Sequence, residues 1–380
     1  MPSRAVHIYP SSLTNESRIL KETESLVRGG VIDEALIVGI CGDGDAEHEA
    51  VDESRVFWRA KLKLSASRGV VAKSFKFVEW YARVLLGLRK QSFAYVNCHS
   101  LSALPLSVFL AWLKGATLIY DTHELETETA TSRGVRKRIA KFVEGVLIKH
   151  VALVIVVSAP IAKWYEDTYD LDNVVVVRNI PVAKAASLEP SRKLKDRFSI
   201  PDDHKIFLYQ GLIDEGRGVE IMLDVLPKIS PSFHCIFMGY GALVPKVRQL
   251  AATSPNVHHL PAVHPQDVLS FTVGADVGVI LVQNVSLSYY YSLGNKFFEY
   301  LMAGLPVIAS DFPEMSKLIK SWDCGFVCEP TREGFDQLMS SLDLESIAAK
   351  RRNSAKVAKE LGWHTEEDIM LAAYSRLVKD

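Results

Sequence analysis

Three groups of residues in this chain of 380 have side-chain types and spacings that suggest chemistry. The first is Gly294-Asn295-Lys296 with Glu299 three residues on. A helix starting just after a glycine offers unpaired N–H groups and the positive end of its dipole, where anions collect. Lys296 adds a mobile cation at the same end. Glu299, roughly one turn deeper, can accept two hydrogen bonds from a vicinal diol such as a ribose. Diphosphate at the mouth and ribose below would form a nucleotide-sugar site. Packed by Phe297, Phe298 and Leu301, the same segment also reads as an ordinary helix of an α/β domain.

The second group is Gly211-Leu212-Ile213-Asp214-Glu215-Gly216-Arg217-Gly218. A glycine-rich loop between a strand and a helix lets backbone N–H groups approach phosphate, and Arg217 can clamp two oxygens. Gly239-Tyr240-Gly241 is a further turn able to border a nucleotide. The third group is Asp121-Thr122-His123-Glu124, beyond the end of an apolar run. Ligands in open α/β sheets bind at the carboxyl ends of strands, so a histidine between carboxylates there is a candidate for contacting substrate. Asp43-Gly44-Asp45 has a metal-binding spacing, but two short acids beside a glycine read as a turn. No metal is expected.

The surrounding pattern supplies the elements. Ala5–Tyr9, helix Ser17–Arg28 and Glu34–Ile40 form a strand–helix–strand unit, which implies a parallel doubly wound sheet. Further strands are expected at 94–97, 117–120, 151–157 and 174–177. The pattern restarts at 205–209, with a helix at 219–229 and strands at 233–238, 257–260 and 277–281; a strand at 307–309 follows the Glu299 helix, and a last helix spans 363–378. The first loop lacks Gly-x-Gly-x-x-Gly, which argues against a dehydrogenase.

At this length two domains are expected: 1–183, 184–360, and a terminal helix at 361–380. A linker falls at about 181–190. Apolar residues are 48% of the chain and charged residues 23%, as in a folded α/β enzyme. A net charge of −1 provides no global field for nucleic acid. Five scattered cysteines read as reduced thiols in a cytoplasmic protein. No signal-peptide region or membrane-spanning run is read in the sequence.

From Arg55 to Lys90 basic and aromatic residues interleave. At 100° per residue Lys73, Lys76, Arg83 and Lys90 share a face with Trp80, and Phe75, Val78, Ala82, Leu85 and Leu86 lie opposite. Basic charge beside an interfacial tryptophan suits an anionic bilayer or an anionic acceptor. Lys73, Lys76, Trp80 and Arg83 are therefore candidate contacts. Arg133, Arg136, Lys137, Arg138 and Lys141 form a second basic cluster on an expected helix.

The segment around Glu299 resembles the carboxylate-bearing helix of family-4 glycosyltransferases, whose pattern is Glu-x7-Glu followed by Ala-x-Gly-x-Pro-Val. Glu299 takes the second Glu and Ala303-Gly304-Leu305-Pro306-Val307 the tail; the first Glu falls at Tyr291. The 211–218 loop is similar to the family's Gly-Arg-x-x-x-x-Lys-Gly, with Arg217 for the lysine and Leu212 for the arginine. Tyr120-Asp121-Thr122-His123-Glu124-Leu125 resembles the motif whose histidine contacts the donor sugar; His99 resembles a family position in outline.

The resemblance implies a GT-B fold: two Rossmann-like doubly wound domains facing across a cleft, with the last helix crossing back to the first. It implies retaining, metal-independent sugar transfer from a nucleotide sugar, UDP favoured over GDP, with base selection near 261–268. Catalytic roles fall to His123, Arg217 and Glu299. Donor binding falls to Gly211, Arg217, Gly218, Gly239, Gly241, Gly294, Asn295, Lys296 and Glu299. The acceptor would be a glycan, a lipid-linked precursor or another hydroxyl, as in envelope polysaccharide or glycolipid synthesis. Because Tyr291 cannot replace a carboxylate, an inactive partner subunit and an epimerase or hydrolase of the same fold remain alternatives.

Overall fold

The computed structural model describes residues 3–14, 16–63, 70–182 and 191–377, and only the backbone of 70–74, 265 and 266. Most of the expected linker, 183–190, and Val378 lie outside the described residues. The chain divides into two compact units, one of Met1–Arg178 with Glu366–Asp380 and one of Asn179–Thr365.

The first unit contains β1 (Arg4–Ile8), α1 (Ser17–Arg28), β2 (Glu34–Ile40), β3 (His48–Ala50), β4 (Arg55–Ala60), α2 (Val70–Leu88) and β5 (Tyr95–Cys98). It continues with α3 (Leu104–Lys114), β6 (Thr117–Asp121), α4 (Gly134–Leu147), β7 (Leu153–Val156), α5 (Ala159–Tyr169) and β8 (Val174–Val176). Its sheet order is β3-β4-β2-β1-β5-β6-β7-β8, parallel apart from the antiparallel β3–β4 pair. Strand β7, Leu-Val-Ile-Val, is buried at every position, as a central parallel strand covered on both faces must be. Right-handed crossovers put α1 on one face and α2 to α5 on the other, because the strand order runs in opposite directions from β1.

The second unit contains α6 (Lys193–Phe198), β9 (Lys205–Leu212), α7 (Val219–Val225), β10 (Phe233–Tyr240), α8 (Val244–Ala251), β11 (Val257–Pro261) and α9 (Pro265–Thr272). Then come β12 (Val277–Ile280), α10 (Leu287–Tyr290), α11 (Asn295–Met302), β13 (Val307–Ser310), α12 (Pro313–Trp322), β14 (Gly325–Cys328), α13 (Arg332–Ser341) and α14 (Leu344–Glu360). The six strands are parallel in the order β11-β10-β9-β12-β13-β14. Strand β9 shows how the two-residue period sorts the core: Ile206 and Leu208 pack with Phe297, Phe298 and Leu301. Phe207 and Tyr209 point the other way, into a cluster with Val219, Met222 and Val225. Both units are Rossmann-like parallel α/β sheets.

The last helix, α15 (Trp363–Leu377), supplies Glu366 onward to the first unit. Glu366 is fully buried and accepts from the Arg178 guanidinium at 2.6 Å and its backbone N–H at 2.7 Å. Tyr374 packs edge-on to Tyr95 and donates to Asn97.

Helix α2 corrects the sequence reading. Trp80 is 0% exposed and its indole N–H donates to the Gly39 carbonyl at 3.0 Å, so it is not an interfacial residue. Val84 and Leu88 are buried in line with it, while Phe75, Val78 and Leu86 are exposed. The helix carries two apolar stripes, and the expected core stripe is the outer one. The buried indole N–H requires a partner, and only the inward orientation brings it to Gly39. Arg83 is tied to Glu79 at 2.8 Å, Lys76 is half-buried, and the Lys73 side chain lies outside the described set. The segment before it, Arg55–Ala60, forms the β4 strand.

Candidate active site

Each unit carries polar residues at the carboxyl ends of its strands, where open parallel sheets bind ligands. In the second unit the centre is the start of α11. Gly294, extended at φ −72° and ψ 148°, precedes the helix, and no protein atom lies within 4 Å of where its Cβ would be. Gly294 and Asn295 are exposed. Lys296 folds back over the Tyr209 ring, Nζ 5.2 Å from the centroid. Room for it comes from Gly211, at φ +104°, where a Cβ would stand 2.5 Å from Lys296 Cε and 2.7 Å from Nζ. Burial, then Arg217, depress the Lys296 amine to about 8, with Glu299 opposing.

Glu299, one turn along, accepts from the Gln210 amide at 2.5 Å, and Thr272 donates to the Gln210 oxygen at 2.9 Å. Tyr300 lies across β12, where Gly278 leaves space for its ring. Its hydroxyl donates to the Leu208 carbonyl at 2.9 Å and accepts from the Gln210 N–H at 3.0 Å. Gln210 is thus held at main chain and side chain, and it holds the carboxylate. Arg217 stacks over Tyr289 of α10, 5.4 Å from the ring centroid.

The other glycines divide by cause. At Gly218, with φ +77°, a Cβ would lie 1.9 Å from the Leu281 carbonyl oxygen. At Gly239 and Gly241 it would meet the carbonyls of Gly211 and Ile213 at 1.8 and 2.2 Å. Close backbone approach accounts for these three without a ligand. Strands β9 and β10 run on through Leu212 and Tyr240, so the loop expected from Gly211 begins two residues later. The Leu212 carbonyl accepts from the Tyr209 hydroxyl at 2.6 Å, and Tyr291 caps the C-terminus of α10.

In the first unit His123 follows β6 and is 22% exposed. Behind it is a buried network. Arg18 of α1 forks onto Asp121 at 2.7 and 2.9 Å and also donates to the Val177 carbonyl at 2.9 Å. Burial would raise the Asp121 carboxyl, but Arg18 and the bonds from His123 and His99 hold it well below the usual range. His99 Nδ1 lies 3.1 Å from Asp121 Oδ2 and 3.2 Å from His123 Nε2. Its Nε2 lies 2.9 Å from His7 Nδ1. Burial depresses His99 to about 4 and also lowers His7. With Asp121 ionised and acceptor-only, the bonds assign Nδ1–H of His99 to Asp121 and Nδ1–H of His7 to His99. That leaves His7 Nε2 bare, and it has no partner in the structure.

The structure brings Gly211, Arg217, Lys296 and Glu299 together in one unit and holds His123 in the other. It adds residues that the sequence reading missed. Gln210 ends the buried part of β9, so its strand-end position was a usable signal. Arg18 lies 103 positions from its partner Asp121, and nothing local marks it. Asp43 and Asp45 form a turn, with Asp45 accepting from the Gly42 N–H at 2.9 Å. Among the described residues two clusters are close enough to hold a cation, His7–Glu22–His99 and His99–Asp121–His123, but Arg18 already pairs with Glu22 and occupies both Asp121 oxygens.

Two family models and several solved structures identify this pair of Rossmann-like units as a glycosyltransferase of the GT-B type. Residues 16–179 match the family model described as glycosyl transferase 4-like domain, and residues 204–342 match glycosyl transferases group 1. The chain belongs to these glycosyltransferases. No curated protein matches the sequence. Among solved structures it is similar to sucrose-phosphate synthase from Thermosynechococcus elongatus, with TM-score 0.80, 14% identity and 99% of each chain covered. Anabaena HepE in complex with UDP-glucose matches with TM-score 0.75 and 14% identity over 98% of this chain and 99% of that one. WaaG, a glycosyltransferase involved in lipopolysaccharide biosynthesis, matches with TM-score 0.67 and 15% identity over 96% and 97%.

Proposed function

We propose that the chain transfers a sugar from a UDP-sugar to a hydroxyl acceptor with retention at the anomeric carbon. The observation that carries this reading is the Lys296 ammonium seated beside Gly211 at the start of α11, with Glu299 fixed one turn deeper by Gln210. Diphosphate would meet Lys296, Arg217 and the first N–H groups of α11, and ribose would meet Glu299. In the reaction the anomeric C–O bond to the diphosphate breaks and a C–O bond to the acceptor forms. The acceptor's proton passes to a diphosphate oxygen. Stabilising the departing diphosphate is then the main catalytic contribution, and the two side-chain cations can supply it without a metal. His123, braced by Asp121, would bind a hydroxyl of the donor sugar. Uridine is favoured because HepE, of the same fold, was captured with UDP-glucose. An envelope glycan or lipid-linked acceptor is in keeping with the lipopolysaccharide role of WaaG.

The test is a thermal-shift panel of UDP, GDP, ADP and their sugars in EDTA. Ligand at ~100 times its Kd stabilises by about 2.7 kcal/mol. A shift with UDP that disappears in Glu299→Ala supports the site. No shift with any nucleotide favours an inactive partner subunit, and donor conversion without acceptor favours an epimerase or hydrolase.

A further inference from the structure

Helix α4 is folded inside out. Its single carboxylate, Glu144, is fully buried and accepts from the hydroxyls of Tyr120, Tyr165 and Tyr169 at 3.0, 2.9 and 2.7 Å. The opposite side carries Val135, Ile139, Phe142 and Val146, exposed by 71, 57, 72 and 47%. At 100° per residue these four fall within about 60° of arc. A surface helix of a soluble domain turns such a stripe inward; here three tyrosines hold the polar pole inside and fix the apolar pole outside.

The stripe has neighbours. On α3, which packs beside α4, Phe109, Trp112 and Leu113 are exposed, Trp112 by 76%. On α2 the outer row is Phe75, Val78 and Leu86, exposed by 61, 64 and 62%. The ends of α2 and α3 are joined where Lys114 donates to the Arg89 carbonyl at 2.7 Å. Ten of the fifteen exposed large apolar side chains among the described residues lie on these three helices, all on one face of one sheet. Contiguous exposed apolar surface of this kind marks an interaction site.

Charge identifies the occupant. Arg136 and Arg138 flank the α4 stripe, and Arg133 and Lys149 stand at its two ends, all exposed. Glu128, the nearby acid, is already paired with Lys137 and Lys141. Helix α3 ends in Lys114 and contains no acid. An apolar stripe with tryptophan alongside, bordered by arginine and lysine and by no unpaired acid on the same helix, is the pattern of a helix lying in the headgroup layer of an anionic bilayer.

We infer that the α2–α3–α4 face of the first unit docks onto an anionic lipid bilayer, with Val135, Ile139 and Phe142 entering the headgroup boundary and Arg136 and Arg138 meeting lipid phosphates. No helix among the described residues is long and apolar enough to cross a membrane, so the helices lie on the surface. This docking does not depend on the sugar-transfer reading, and it moves the contact from the expected Trp80 face to the opposite side of α2 and its neighbours.

The experiment is flotation of the full chain with phosphatidylglycerol–phosphatidylcholine vesicles and with phosphatidylcholine vesicles alone, paired with light scattering for mass. The wild type is expected to float with the anionic vesicles and to lose binding as salt rises. Ile139→Asp/Phe142→Asp is expected to weaken partition by about tenfold or more, with an unchanged melting temperature because both side chains are exposed. Arg136→Gln/Arg138→Gln should weaken binding to the anionic vesicles alone. Leu344→Asp, on an exposed apolar residue of the second unit, should change nothing. Failure of the wild type to float, or equal flotation of Ile139→Asp/Phe142→Asp, overturns the inference. A dimer that this variant dissociates, without lipid binding, assigns the face to a second copy instead.

Discussion

At Lys296 burial and Arg217 favour the neutral amine, and Glu299 favours the ammonium. Its value falls from 10.5 to about 8. Between these pH values the unfolded chain binds the extra proton, so this residue's contribution to stability rises with pH there. Nucleotide binding has the opposite sign, because diphosphate needs the ammonium. Affinity for UDP is expected to fall as pH rises from about 7 to about 9, with proton uptake on binding near pH 8; Lys296→Arg should flatten the profile, since guanidinium does not titrate there. Calorimetry in two buffers of different ionisation enthalpy measures both. In the first unit, Arg18→Leu leaves the buried Asp121 carboxylate with its histidine bonds but without its cation, and takes the same partner from buried Glu22. A loss of about 3–5 kcal/mol is expected, read by urea denaturation, and Arg18→Leu/Asp121→Leu should recover part of it.

Among the elements, α2 gives the sharpest stability expectation. Trp80→Ala removes a fully buried ring and should cost about 3–5 kcal/mol. By contrast, Phe75→Ser and Leu86→Ser on the outer row should leave the melting temperature nearly unchanged. The same helix shows what was legible in the sequence. Segments with one clear period, such as Ser17–Arg28 and Glu34–Ile40, have the bounds expected of them. Where a segment carries two apolar stripes, periodicity cannot say which is inner, and in α2 that was decided by a carbonyl on β2. Helix α4 hid its orientation for the same reason: three tyrosines from β6 and α5 supply the partners that bring Glu144 inside. The cationic and carboxylate residues of the donor side were legible because they sit at element ends. Of their braces, Gln210 and Thr272 come from β9 and α9, and Tyr300, though next to Glu299 in α11, acts by bonding the main chain of β9, a pairing that no local pattern shows.

For the whole molecule, histidines set the acid limit. His204, His234 and His258 form a chain across neighbouring segments of the second unit, at 2.8 and 3.0 Å. Burial, then its histidine neighbour, lowers His258 to about 4, and His99 in the first unit stands at about 4 as well. A folded-state value below the unfolded one gives stability that is present above about pH 6.5 and is lost as pH falls toward 4. The melting temperature should therefore drop across that window, and His258→Gln should show a shallower decline. The melting curve of a chain cut after Thr365 gives another whole-molecule test: deprived of Glu366 and Tyr374, the first unit should melt at lower temperature even though every strand of its sheet is intact.

That last dependence has a consequence for synthesis. Domains of a growing chain commonly fold in the order in which they emerge, but here the segment that completes the first sheet's packing is made only after the whole of the second unit. The 179–365 unit has its whole sequence available earlier, so it is the one that can finish during translation. The first unit must wait, its Arg178 guanidinium without the carboxylate of Glu366, until α15 has been made. Truncation after Thr365 would thus damage the unit made earlier and spare the one made later.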